Sequence, residues 1–178
     1  WPPLDQTYEV NNGIMEGPWE TVPSALIESV EWSNGDATAT FTVKDGAAFG
    51  DGKLITAHDF VYTFKRAIDS AGSYIPLLLP FVDIDSSDLI EAVDDRTFTV
   101  SANRPTALLE RFLTFQVFAP IDKELAEANS TEEDPWAFDY FVDHNNSSGL
   151  YVLTNWDRAT GQLVFDFSSE WHTSDFLS

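Results

Sequence analysis

Residues 47–72 limit the possible folds more than any other stretch of this sequence. Gly50-Asp51-Gly52 predicts a tight turn, because glycine adopts the positive φ that other residues resist. Thr56 predicts a helix N-cap, and Asp59 follows where the acid of a capping box belongs. Apolar side chains then recur at helical spacing and predict one buried face: Phe60, Phe64, Ala67, Ile68 and Ala71. We therefore expect an amphipathic helix here, with Gly72 as its stop.

Hairpin signals on both sides of this helix predict antiparallel strands. The paired segments are residues 25–32 with 37–43, 88–93 with 96–102, and 150–156 with 162–167. The first pair flanks Asn34-Gly35, which suits a type I′ turn. Hairpins interspersed with helices indicate an α+β fold with antiparallel hairpins and two to three packed helices.

Weaker signals predict the remaining elements. Pro105 suits the first turn of a second helix, whose apolar positions are Leu108, Leu109, Phe112 and Leu113. A third helix is expected from Pro120 to Asn129, and one helical turn over residues 136–141. Residues 115–119 suggest a short strand, and residues 74–81 suggest short irregular or helical turns.

The charge of the chain excludes one class of partner. There are 30 acidic and 9 basic side chains, giving a net charge of -21. Such a field repels nucleic acid, so we expect no nucleic-acid partner. The charge fits a salt-tolerant source and an ordinary acidic extracellular protein equally well. No cysteine is present, so disulfide bonds and thiolate sites are excluded for this sequence.

Patterns typical of catalysis or metal binding are missing from the sequence. His58, His144 and His172 are far apart and lack ligand-spaced neighbours. The Asp83-x-Asp85-x-x-Asp88 segment lacks the glycine and the glutamate of a calcium loop. No nucleophile elbow, P-loop or dinucleotide fingerprint occurs. We therefore expect no enzyme, no catalytic residue, no metal site and no cofactor.

Aromatic residues are numerous, with 14 phenylalanines and 6 tryptophans. Those on patterned faces are predicted to be core residues: Phe41, Phe49, Phe60, Phe64 and Phe112. Tyr74, Phe115 and Trp19 fall outside clean periodicity, and two interpretations stay open for them. They belong either to the core or to the wall of a ligand-binding groove.

The order of several motifs resembles that of the family 5 extracellular solute-binding proteins, the peptide, oligopeptide and nickel receptors of ABC importers. Phe49-Gly50-Asp51-Gly52-Lys53 and the following Thr56-Ala57-His58-Asp59 are similar to the signature region of that family. Arg104-Pro105-Thr106-Ala107-Leu108-Leu109 resembles a later helix, and the likeness extends from about Met15 to Trp171. The chain departs from the family at Gly149-Leu150-Tyr151-Val152-Leu153, where relatives carry Gly-Thr-Gly-Pro-Tyr.

This resemblance implies a fragment of a receptor whose two lobes close on a ligand, the fold of periplasmic binding proteins. The fragment covers part of the first lobe: residues 36–145 as its small subdomain, and residues 1–35 and 146–178 as flanking strands of the larger lobe. Tyr74 and Gln116 match positions that face the ligand in relatives. Met15 replaces a tyrosine that lies near the ligand in relatives, and is the third expected ligand-binding residue.

The resemblance also implies the setting in which such a chain works. We expect a monomeric receptor outside the cytoplasm, periplasmic or at the cell surface, with a lipid-anchored parent as one option. Its partners would be a peptide or other small solute and the ABC permease in the membrane. Two other interpretations stay open: an accessory domain of an extracellular hydrolase, and a ligand-sensing module of a regulator.

Overall fold

The computed structural model describes residues 9–11, 14–16, 26–70, 73–144, 146–149 and 151–167. The strands in these ranges are β1 (Glu9–Asn11), β2 (Ile14–Glu16), β3 (Ile27–Ser33), β4 (Thr38–Val43), β5 (Ile90–Ala92), β6 (Thr97–Ser101), β7 (Tyr151–Asp157) and β8 (Gln162–Phe167). The α-helices are α1 (Ala57–Asp69), α2 (Leu79–Val82), α3 (Leu109–Phe112), α4 (Lys123–Ala128) and α5 (Phe138–Asp143). Three 3₁₀ turns span Ile75–Leu77, Ser87–Leu89 and Gln116–Phe118. In these ranges, no helix has the length and apolar character needed to cross a membrane.

An antiparallel sheet with the strand order β3-β4-β6-β5 is the base of the fold. The predicted turn between β3 and β4 is present, and Asn34, Gly35 and Asp36 all have positive φ values of 55°, 65° and 70°. Phe41 of β4 pairs with Phe98 of β6, and their rings stack with centroids 4.8 Å apart. The first two predicted hairpins and the α+β fold class are confirmed.

Helix α1 begins at the predicted capping box. Thr56 is the N-cap. Its backbone N–H and its hydroxyl both donate to Asp59 Oδ2, each at a distance of 2.8 Å. Asp59 Oδ1 accepts a further hydrogen bond from the backbone N–H of Lys123 at 2.9 Å. The side chain of Asp59 is buried, with 3% of its residue surface exposed. One carboxylate therefore starts α1 and also fixes the start of α4 against it.

The apolar face of α1 packs on the sheet and forms the core. Phe60 stacks on Phe98 with centroids 5.0 Å apart, and Phe64 stacks on Phe118 at 4.1 Å. The predicted face is confirmed at its four described members: Phe60, Phe64, Ala67 and Ile68. The predicted core aromatics are also confirmed, since half-buried Phe41 packs against a cluster that contains Phe49, Phe60, Phe64 and Phe112.

The end of α1 differs from the prediction. The helix ends at Asp69, because Ser70 takes an extended backbone conformation as its C-cap. The expected stop at Gly72 therefore comes too late. Ala71 and Gly72 themselves lie outside the described residues, as does Trp19.

The short strand predicted over residues 115–119 is wrong. This segment contains a 3₁₀ turn, in which the N–H of Phe118 donates to the carbonyl of Phe115 at 3.1 Å. The apolar run is explained by one deeply buried side chain, Phe118, rather than by alternation along a strand.

Two predicted helices begin later than expected. Helix α3 is a single turn that starts at Leu109, beyond Pro105, and only Leu109 and Phe112 of its predicted apolar set are buried. Helix α4 does not begin at Pro120, because Asp122 is the N-cap and accepts the N–H of Leu125 at 3.0 Å. The buried side chain of Leu109 sets the start of α3. The side chain of Asp122, which accepts a backbone N–H of the first turn, sets the start of α4.

Strands β7 and β8 form the third predicted hairpin as a separate two-stranded sheet. Large apolar side chains are exposed along it: Tyr151, Trp156, Leu163, Val164, Phe165 and Phe167. One connection to the rest of the chain is the N–H of Gly50, which donates to the carbonyl of Ser147 at 2.8 Å. Another is Arg158, which donates to the carbonyl of Val142 and to the carboxylate of Asp143.

One observation bears on the predicted division of the chain into a small subdomain and flanking strands of a larger lobe. Strand β3 falls within residues 1–35 and pairs with β4, so part of that segment lies in the main sheet. Assignment of residues 1–35 and 146–178 to a larger lobe stays a prediction. Strands β1 and β2 form a further pair, in which Met15 lies opposite Val10.

Candidate functional site

Tyr74 is an exposed side chain on a firmly anchored turn. It precedes the 3₁₀ turn Ile75–Leu77, which packs against α1. Ile75 is fully buried and holds the turn in place, whereas Tyr74 is 58% exposed. Leu77 and Phe81 are exposed as well, so the segment presents an apolar surface to solvent. Tyr74 therefore lies outside the core that the described residues form, and its role at a ligand site stays a prediction.

Gln116 has a similar setting on a second turn. It is exposed at the start of the turn Gln116–Phe118, and that turn also packs against α1 through the buried ring of Phe118. The preceding Phe115 is 38% exposed and contacts Phe112 edge to face, with centroids 5.9 Å apart. Within the described ranges, no hydrogen bond joins Tyr74 to Gln116. Both expected ligand residues thus lie on turns that pack against α1.

Met15, the third expected ligand residue, lies in the β1–β2 pair. Its backbone position opposite Val10 is described, and its side-chain surroundings lie outside the described part of the structure. Its role at a ligand site stays a prediction.

A polar cluster that sequence reasoning missed lies beside the turn Gly50-Asp51-Gly52 of the signature region, called the signature turn below. Lys53 Nζ is 2.6 Å from Asp122 Oδ1 and 2.9 Å from Glu124 Oε2. Burial lowers the pKa of Lys53, but the hydrogen bonds and negative charges of both carboxylates outweigh it, so the pKa lies above its ordinary value. The ammonium group stays charged and ties this turn to the start of α4. Lys53 and Asp122 are far apart along the chain, and no pattern in a single sequence indicates that two such distant residues are in contact.

The segment 146–149 is held against the same turn. The side-chain amide of Asn146 donates to Asp51 Oδ2 at 3.3 Å and to Asp122 Oδ2 at 3.5 Å. The carbonyl of Ser147 accepts the N–H of Gly50 at 2.8 Å. This segment runs into the part of the chain that departs from the Gly-Thr-Gly-Pro-Tyr motif of the resembled family. The signature turn and that departing motif are therefore neighbours in space.

No metal-binding arrangement occurs in the part of the chain that the structure describes, because no three His, Asp or Glu side chains converge there. The two histidines in these ranges have other contacts. His58 Nε2 lies 3.4 Å from Asp95 Oδ1 at the surface, and His144 stacks on Tyr140 with centroids 4.1 Å apart.

Residues 21–171 match the family described as bacterial extracellular solute-binding proteins, family 5 Middle. The chain belongs to this family of solute-binding proteins.

The relatives are considerably longer than this chain. The oligopeptide-binding protein OppA of Bacillus subtilis is 26% identical over 161 residues, which are 84% of this chain and 28% of that protein. The dipeptide-binding protein of Lactococcus lactis subsp. cremoris is 36% identical over 137 residues, which are 68% of this chain and 25% of that protein. Haemophilus influenzae OppA, solved in complex with RPPGFSPFR, is similar over 94% of this chain and 32% of its own, with 21% identity and a TM-score of 0.67. The fold is that of part of such a receptor, and the chain spans 25% to 32% of these relatives.

Proposed function

We propose that these residues are part of an extracytoplasmic receptor that captures peptides for an ABC importer. The family match over residues 21–171 is the observation that carries this proposal. The two relatives are named for oligopeptide and dipeptide binding, and the Haemophilus influenzae protein holds a peptide. The match favours this function over an accessory domain of a hydrolase and over a regulatory sensor.

The described geometry suits binding rather than reaction. A receptor with two lobes is in equilibrium between open and closed forms, and a ligand that contacts both lobes shifts the population towards the closed form. Tyr74 and Gln116 suit one wall of such a cleft, because their side chains are exposed while their turns are fixed on α1. A tyrosine ring packs on apolar side chains, and an amide both donates to and accepts from a peptide backbone.

The β7–β8 hairpin fits a chain that forms one part of a larger receptor. Contiguous exposed apolar surface is uncommon on a folded protein unless another surface covers it. Six large apolar side chains of this hairpin are exposed. In this proposal the rest of the receptor covers them. The monomeric receptor works in the periplasm or at the cell surface, with a lipid-anchored parent as one option, and the permease recognises its closed form.

The test is peptide binding by the full-length protein as its source encodes it. A random-sequence library that contains dipeptides, tetrapeptides and nonapeptides is screened by native mass spectrometry, and the best-bound peptide is then titrated by calorimetry. We expect Tyr74→Ala to weaken binding by about tenfold or more, the loss typical of an aromatic anchor at a binding surface. Gln116→Ala should weaken it less, because a single neutral hydrogen bond contributes about 1 kcal/mol.

Matched controls separate a ligand role from a general loss of stability. Val93→Ala removes another exposed apolar side chain, and Asn103→Ala removes another exposed amide between β6 and α3. Both controls should bind like the unmodified protein. Failure of the unmodified protein to retain any peptide of the library would refute the proposed function.

A further inference from the structure

Gly50 is a glycine for a reason other than its backbone conformation. Gly52 has a positive φ of 86°, but Gly50 is not one of the positive-φ glycines. A Cβ atom at Gly50 would lie 2.8 Å from Val152 Cγ2 and 3.4 Å from the carbonyl oxygen of Ser147. The first distance is far below an ordinary contact between carbon atoms. An alanine at position 50 would therefore force Val152 or the adjoining backbone of β7 to shift.

Hydrogen bonds hold the two parts at this close approach. The N–H of Gly50 donates to Ser147, and the amide of Asn146 reaches Asp51 and Asp122. The hydroxyl of Ser147 donates to the carbonyl of Tyr151 at 3.1 Å, which bends the chain into β7. Residues 146–149 and the start of β7 are therefore attached to the signature turn both by polar bonds and by the packing of Val152 on Gly50.

The two sides of this contact carry different parts of the molecule. One side is the unit of α1 and its sheet, on which Tyr74 and Gln116 are fixed. The other side is the β7–β8 hairpin, whose exposed apolar side chains require cover from elsewhere. A shift at Gly50 therefore moves α1 and its sheet relative to the part of the receptor that covers the β7–β8 hairpin.

We propose that Gly50 and Val152 form a rigid joint between these two parts, and that Gly50 is a positioning residue for peptide binding. This inference rests on the proposed function, because it assigns the joint the task of setting the width of the binding cleft. Tyr74 and Gln116 lie on the turns beside α1, so their placement relative to the remaining receptor depends on the joint. Gly50 itself does not touch the ligand.

The test is a double-mutant cycle in the full-length protein, with the best-bound peptide of the library as probe. Gly50→Ala should raise the dissociation constant by about tenfold, a coupling typical of residues in contact. Val152→Ala removes the methyl groups that the new side chain would meet, so the double variant should return to within about threefold of the unmodified protein. Val152→Leu adds bulk to the same joint from the opposite side and should weaken binding in the same direction as Gly50→Ala.

A second readout separates positioning from stability. The thermal midpoint of the double variant should stay low, because the packing of Val152 is lost while the affinity recovers. Gly161→Ala is the control: Gly161 has a φ of 74° and no atom near its Cβ position, so alanine strains the hairpin turn without touching the joint. It should lower the midpoint and leave the affinity unchanged.

The outcomes distinguish this inference from the proposed function. If the unmodified protein binds the peptide and Gly50→Ala binds equally well, or if Val152→Ala does not rescue it, the joint has no positioning role. If the unmodified protein binds no peptide, the proposed function fails. Hydrogen exchange at the backbone amide of residue 50 still tests the joint in that case. A joint at this position predicts slow exchange in the unmodified protein and fast exchange in Gly50→Ala. Fast exchange in both would overturn it.

Discussion

Removal of the Asp59 carboxylate should destabilise the fold more than removal of any exposed acid. This buried side chain accepts three hydrogen bonds, two from Thr56 and one from the backbone of Lys123. Asp59→Ala leaves all three donors without their acceptor, and two of them are backbone amides at the starts of α1 and α4. The two helices would lose their common attachment.

The magnitude follows from the geometry of the two oxygens. A hydrogen bond to a charged group contributes about 1.5 kcal/mol or more, so loss of two backbone amide bonds costs about 3 kcal/mol. Asp59→Asn should cost about half of this. Its carbonyl oxygen can replace Oδ2 towards Thr56, whereas its NH₂ group would face the N–H of Lys123 and lose that bond.

The assay is urea unfolding of the full-length protein, with hydrogen exchange at the Thr56 and Lys123 amides. Asp85→Ala serves as the control, because Asp85 is exposed and takes part in no hydrogen bond or ion pair within the described ranges. It should change stability by less than about 0.5 kcal/mol. An Asp59→Ala protein as stable as this control, or an asparagine variant as unstable as the alanine variant, would refute the reasoning.

Three further predictions concern the core, the pH response and salt. Phe98→Ala should cost about 3–5 kcal/mol in urea unfolding, because its buried ring stacks on Phe41 and Phe60. The backbone N–H of Arg96 above all lowers the pKa of Asp94, so this carboxylate stabilises the fold above its unfolded pKa of about 3.9. Asp94→Asn should therefore be destabilising at pH 7 and become equal to the unmodified protein as the pH falls through the folded pKa; a constant difference at all pH values would contradict this. The net charge of -21 predicts a higher unfolding midpoint in about 1 M salt than in about 0.01 M salt, because the screening length falls from about 30 Å to about 3 Å; a flat salt response would contradict it.

Local signals in the sequence predicted the local parts of the structure. The capping box at Thr56, the apolar face of α1 and the turn at Asn34-Gly35 depend on residues within a few positions of one another. Their physical causes, a satisfied N-terminal amide and an allowed positive φ, are visible in any short window. The α+β class followed from the order of such elements.

Errors arose where a distant contact decides the local conformation. Phe118 stacks on Phe64, and this contact favours a compact turn over the strand that its apolar neighbours suggested. The buried carboxylate of Asp122, held by Lys53, sets the start of α4 beyond Pro120. Residues of the candidate site, Tyr74 and Gln116, came from the family resemblance, and their exposure required the structure.

The β7–β8 hairpin combines open strand edges with exposed apolar side chains. Neither β7 nor β8 has a second partner strand among the described residues, so each offers a row of free backbone donors and acceptors beside large apolar side chains. Such an edge is a template for pairing with another copy. A polypeptide limited to these 178 residues should form β-rich aggregates during purification, and charged substitutions at Phe165 and Phe167 should keep it in solution.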